Sequence, residues 1–240
     1  NRDFLIEGYE ENSSGQASSE YWSSFNNTTN LGDFNNDGFV DLYTFLIHFP
    51  PNEPSNYGGV EGKHLIIYDY FSDDKSNRLV IDSDISWNSG RSHVGDFDND
   101  GLDDILIFSD NEKPNTYLES EFFGGSANNP HIKGEILFNL NGEGFERREI
   151  GTEINSHGGG SVGDIDNDGD LDIVVGSIRN NDYNLKPKLL INDGVGNFTV
   201  GDLFDSSLNS FYRMYFYTLS LFDLNDDGYL DLVAARDIGD

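Results

Sequence analysis

Short apolar runs, each preceded by polar turn-forming residues, recur along the chain: Leu42-Tyr43-Thr44-Phe45-Leu46-Ile47, Ile105-Leu106-Ile107-Phe108, Ile173-Val174-Val175 and Leu232-Val233-Ala234. They are too short for helices and rich in branched and aromatic residues, so they read as buried strands. Between them lie further strand-like segments. Third strands are predicted at His64 to Tyr70, Gly134 to Asn139 and Lys188 to Asn192, and fourth strands at Arg78 to Ser83, Phe145 to Ile150 and Asn197 to Leu203. A strand such as Ser92 to Gly95 leads into each unit, and Asp3 to Gly8 reads as one more fourth strand. Four short antiparallel strands per unit is the content of a propeller blade, so the pattern predicts an all-β propeller of four-stranded blades.

The polar turns are themselves a repeat. Leu31 to Asp41, Val94 to Asp104, Val162 to Asp172 and Leu221 to Asp231 align without gaps. Their first Asp residues fall at 33, 96, 164 and 223, which are 63, 68 and 59 residues apart. This divides 1–240 into one propeller region with repeats at about 31–84, 92–151 and 160–204 and partial repeats at 1–30 and 218–240. A strand tally short of whole blades predicts either a piece of a larger propeller or an edge covered by a neighbouring subunit.

Within each nine-residue loop, oxygen-bearing side chains occupy positions 1, 3, 5 and 9, Gly occupies position 6, and position 2 is apolar (Phe34, Phe97, Ile165, Leu224). Calcium takes six to eight oxygens, and alternate residues of a tight loop can aim carboxylates at one centre while Gly permits the turn. The expected cofactor is therefore Ca²⁺ at about four sites. The expected side-chain ligands are Asp33, Asn35, Asp37 and Asp41; Asp96, Asp98, Asp100 and Asp104; Asp164, Asp166, Asp168 and Asp172; and Asp223, Asn225, Asp227 and Asp231. Phe39, Leu102, Asp170 and Tyr229 would add backbone oxygen at position 7. The metal-free alternative is a set of Asx and Gly hairpin turns, which need neither the Asp at position 9 nor so many carboxylates together. An EF-hand is excluded, because position 12 holds Thr44, Ile107, Val175 and Ala234 instead of a bidentate Glu.

Composition agrees. With 44 acidic and 14 basic residues the formal charge is −30, which excludes a nucleic-acid binder working through a basic surface. Self-repulsion on that scale opposes compactness unless it is neutralised. Fourteen of the carboxylates are proposed ligands, and four dications would bring −30 to −22. There is no cysteine, hence no disulfide scaffold or zinc-thiolate site, and no apolar run approaches the roughly 18 residues that insert into a bilayer.

The repeated loops and the shared turn pattern of Asn139-Leu140-Asn141-Gly142-Glu143-Gly144-Phe145 and Asn192-Asp193-Gly194-Val195-Gly196-Asn197-Phe198 resemble the FG-GAP and VCBS repeats of integrin alpha-subunit-type propellers. The resemblance implies about seven blades, with calcium loops joining the first two strands of a blade on one face and partners bound on the opposite face. The chain departs from the pattern where Phe222 replaces the Gly that precedes the other loops.

Long, unrepeated connections supply the candidate recognition surface. Those connections, including 10–30, 84–91, 151–161 and 205–217, carry Trp22, Tyr57, Trp87, Tyr117, His131, Tyr183 and Tyr212 as candidate ligand-binding residues. Aromatic faces near Asn and Asp suit a sugar ring or a protein partner, while packing of loops on blades explains any one of them equally well. The expectation is an extracellular or cell-surface binding and adhesion module for a protein or glycan, without nucleic acid or membrane insertion. One alternative is a glycan-active enzyme such as a polysaccharide lyase, with Arg91, His93, His157, Arg213 and Tyr215 as loose candidates. Another is a structural subunit of a surface filament whose neighbour fills an open edge. No repeated histidine, nucleophile elbow or phosphate loop favours catalysis.

Overall fold

The computed structural model describes residues 21–24, 29–49, 61–74, 76–83, 89–109, 134–150, 160–176, 187–204 and 215–237. Every regular element among them is a strand, and every pairing is antiparallel. The first sheet contains β1 (Tyr21–Ser24), β2 (Asn30–Gly32), β3 (Asp41–Phe49), β4 (Glu61–Ile67) and β5 (Arg78–Ser83). The second runs β6 (Ser89–Gly95), β7 (Asp104–Ser109), β8 (Gly134–Asn139) and β9 (Phe145–Ile150). The third runs β10 (Gly160–Gly163), β11 (Asp172–Val175), β12 (Lys188–Asn192) and β13 (Phe198–Asp202), and the last pairs β14 (Tyr215–Phe222) with β15 (Asp231–Asp237). The chain is an all-β propeller of meandering blades.

Two expectations about strands are corrected. β1 and β2 lie along the same edge of β3, β2 opposite Asp41 to Tyr43 and β1 opposite Leu46 to Phe49, so the first strand of this blade is in two pieces. Trp22, placed by sequence in a connection, sits in β1 opposite His48. The reason is the nine-residue length of β3, whose far half would otherwise leave unpaired backbone groups along that edge. Likewise Tyr215 is not in a connection but begins β14, opposite Asp237, because β15 continues past Ala235. The strand expected at Asp3 to Gly8 lies outside the described residues.

The sheets stack face to face, with β2 against β6, β6 against β10 and β10 against β14. The first strands are thus neighbours around an axis, and a middle blade is buried on both faces. That is why its inner strands are continuously apolar rather than alternating. Leu106, Phe108, Ile136 and Phe138 pack with Ile173, Val175 and Leu190 of the third sheet, whereas Ile105 and Leu137 pack with Tyr43 and Ile66 of the first. Arg147 and Arg148 stand on the outer strand β9.

Loop position 2 is a plug between blades. Phe34 and Phe97 are 0% exposed. Phe34 meets Phe145 of the next blade edge-on at 6.2 Å, and Phe97 meets Phe198 at 6.4 Å. Leu224, the same position in the last loop, is 63% exposed. The Gly before each of the first three loops serves the same packing. A Cβ on Gly95 would lie 2.6 Å from Leu171 Cδ1, and one on Gly163 would lie 2.6 Å from Leu230 Cδ1, both position 8 side chains of the following loop. Phe222, which replaces that Gly in the last sheet, is 46% exposed.

Candidate metal centres

The four Asp-rich loops (33–41, 96–104, 164–172 and 223–231; loops 1 to 4) share one backbone path. Position 4 is left-handed in all of them, with φ of 54° at Asn36, 58° at Asn99, 63° at Asn167 and 58° at Asp226. Asn and Asp tolerate that region best among residues with a Cβ. Position 6 is also at positive φ, from 87° at Gly38 to 100° at Gly169, and a Cβ there would touch nothing, so the requirement is conformational.

This path turns backbone N–H groups onto the position 1 carboxylate. Position 5 donates to one oxygen and position 6 to the other: Asp37 and Gly38 to Asp33 (3.0 and 2.9 Å), Asp100 and Gly101 to Asp96 (3.1 and 2.8 Å), Asp168 and Gly169 to Asp164 (both 3.1 Å), and Asp227 and Gly228 to Asp223 (3.1 and 2.8 Å). At Asp223 the Gly228 N–H, with the other loop donors, holds the carboxyl below its usual range. The position 5 carboxylate closes the turn by accepting from position 7, as Asp100 does from Leu102 at 2.9 Å and Asp168 from Asp170 at 3.0 Å.

Position 9 ties the loop to its blade. Asp104 is buried and accepts from Phe97 N at 2.9 Å and from Asn139 N, at the end of the third strand, at 2.8 Å. Asp41 accepts from Phe34 N at 2.7 Å and Asp69 N at 2.8 Å, and Asp172 from Ile165 N and Asn192 N, both at 2.9 Å. Burial pushes the Asp104 carboxyl up to about 7; the two N–H groups oppose this, and the charges of Asp98 and Asp100 add to it. Burial also raises Asp41 and Asp98.

Carboxylates converge in two loops. One oxygen each from Asp96, Asp98 and Asp104 lie within 4.8 Å of one another, and so do oxygens from Asp164, Asp166 and Asp172. Loops 1 and 4 carry Asn35 and Asn225 at position 3, and both amide oxygens accept from position 5, at 3.2 and 2.9 Å. The donor set fits a hard divalent cation. Asp98 Oδ1 adds a specific sign of it, being the one sealed side-chain polar atom among the described residues with no hydrogen-bond partner.

Tyr57, Trp87, Tyr117, His131, Tyr183 and Tyr212 lie outside the described residues, as do His157 and Arg213. Arg91 is in β6. His93 is occupied structurally, with Nε2 3.1 Å from the Gly160 carbonyl of the next blade and its ring edge-on to Phe108. His64 is fully buried between Tyr43 Oη at 2.9 Å and Glu135 Oε1, on the neighbouring blade, at 2.8 Å, with Arg147 3.8 Å from the other Glu135 oxygen.

Sequence reasoning missed a second interblade device. Asn139 Nδ2 donates to the Phe34 carbonyl of loop 1 at 2.8 Å and to the Asp103 carbonyl of its own loop at 3.1 Å. Asn192 Nδ2 does the same to Phe97 at 2.8 Å and Leu171 at 3.2 Å. Both Asn residues end a third strand and open the same turn, and that equivalence was the available signal.

Residues 96–175 and 164–234 match the model of the FG-GAP-like repeat. No curated protein sequence matches the chain. Among solved structures, a Bacillus licheniformis rhamnogalacturonan lyase is similar over 93% of this chain, with a TM-score of 0.53 and 15% identity. The chain spans 41% of that enzyme's length, and at this identity the likeness concerns the fold alone.

Proposed function

Because the chain belongs to the FG-GAP-like repeat family, we propose that it is a calcium-stabilised extracellular β-propeller module that binds a protein or glycan through the connections facing away from the Asp-rich loops. The observation that carries the reading is the convergence of three carboxylates at equivalent places in two successive loops, one oxygen of which, Asp98 Oδ1, is sealed without a partner. Positions 1, 3, 5 and 9 would hold the ion, and the ion would supply charge neutralisation in a chain of net charge −30. Affinities around 10⁻⁴ to 10⁻³ M suit extracellular calcium, which is why an extracellular location accompanies the reading. No helix among the described residues is long and apolar enough to cross a membrane. Calorimetric titration of the chelator-treated chain tests it: saturable calcium binding that magnesium does not reproduce supports the sites, and its absence ends the proposal. The calcium-loaded chain is then screened on immobilised glycans and proteins for the partner.

A second reading, a lyase acting on uronic-acid polysaccharides, is favoured by the similarity to the rhamnogalacturonan lyase. It requires formation of unsaturated uronate product by the purified chain and loss of that activity in His157→Ala. Absence of product on a polysaccharide panel would remove it.

A further inference from the structure

Some of the hydrogen bonds that join one blade to the next run through the Asp-rich loops themselves. Asn139 sits at the junction of loops 1 and 2. Its backbone N–H holds Asp104, position 9 of loop 2, and its side-chain amide holds the Phe34 carbonyl, in the peptide that precedes Asn35 at position 3 of loop 1. Asp33 N, 3.4 Å from Asp103 Oδ2, gives the same pair of loops a second link. Asn192 repeats the arrangement between loops 2 and 3, holding Asp172 by its N–H and the Phe97 carbonyl, next to Asp98, by its amide. There the second link runs from Asn99 Nδ2 to Asp170 Oδ1 (2.5 Å) and to the Gly194 carbonyl (3.3 Å).

We infer that Asn139 and Asn192 are positioning residues that couple successive metal loops, so that filling one loop raises the calcium affinity of its neighbour. The inference rests on the calcium reading of the loops. Its physical basis is a shared ordering cost. An ion that fixes Asp104 fixes the strand end bearing Asn139, and Asn139 in turn fixes the peptide plane between two ligand positions of loop 1. That loop then loses less conformational freedom when it binds. Coupling of this kind is reciprocal. The first blade marks its limit: Asp69 stands where Asn139 and Asn192 stand, donating its N–H to Asp41, but its carboxylate cannot donate to a carbonyl.

The test is a calcium titration of the full chain followed by NMR, in which the amides of Gly38, Gly101 and Gly169 report loops 1, 2 and 3 separately. With Asn139 intact, Asp98→Asn in loop 2 should weaken loop 1 by about fivefold or more, the lower range of typical coupling. With Asn139→Ala, the same Asp98→Asn change should leave the loop 1 midpoint within about twofold. Should Asn139→Ala fail to fold, Asn192→Ala applies the same cycle to loops 2 and 3. A loop 1 midpoint indifferent to Asp98→Asn while Asn139 is present overturns the coupling although the sites bind. If calcium moves none of the glycine amides, the calcium reading itself fails and the coupling with it.

Discussion

Asp98→Asn should change the sign of its effect when calcium is added. In chelator, Asp98 is a carboxylate crowded by Asp100 and Asp96, with one oxygen sealed and unpaired, and its raised pKa records that burial and repulsion oppose its charge. Asn keeps the shape and removes the charge. Relief of repulsion at a partly exposed site is worth about 0.2 to 1 kcal/mol. At about 2 to 4 °C per kcal/mol for a chain of this size, the melting temperature should rise by about 0.4 to 4 °C. In calcium the same change removes a charged ligand. A tenfold weaker site at concentrations well above Kd costs about 1.4 kcal/mol, or about 3 to 6 °C of melting temperature. Thermal unfolding followed by circular dichroism, in chelator and in saturating calcium, reads both arms. A fall of equal size in both conditions would refute the reasoning and make Asp98 an ordinary structural residue.

Asp104→Ala should behave differently, destabilising even in chelator. It orphans the buried N–H groups of Phe97 and Asn139, at about 1 to 3 kcal/mol each, and a melting shift under about 2 °C in chelator would contradict that role. Stability should also depend on pH with a definite sign. The Asp104 carboxyl is raised to about 7, so protonation favours the folded state; that contribution is complete below the ordinary value of 3.8 and is lost as pH rises through about 7. The calcium-free chain should therefore melt higher near about pH 5.5 than near about pH 8, and calcium, competing with the proton, should give the larger increment at the higher pH. Calorimetry at both pH values checks this, and a calcium increment independent of pH would count against it.

What was legible in the sequence was whatever repeats locally. The nine-residue loops announced themselves through Asp and Gly at fixed offsets. The strands at Gly134–Asn139, Phe145–Ile150 and Lys188–Asn192 followed from their flanking turns and lie where the pattern put them. Trp22 was misplaced because Tyr21–Ser24 carries no loop or apolar run of its own; its strand exists only because β3 is long enough to need a second partner. The bonds made by Asn139 and Asn192 span 105 and 95 residues, and the His64–Glu135 contact spans 71 and does not recur in another blade among the described residues. Such non-local pairing has no period to betray it. The double duty of position 9 was hidden in the same way, since its partner N–H lies at the far end of a third strand.

The central claim, that metal in the Asp-rich loops holds this acidic propeller together, is tested most directly by thermal unfolding of the chain with calcium, with magnesium and with excess chelator. A large rise in melting temperature is expected, specific to calcium and growing with its concentration through the millimolar range. A melting temperature unchanged by calcium or chelator would contradict it and leave the loops as turns.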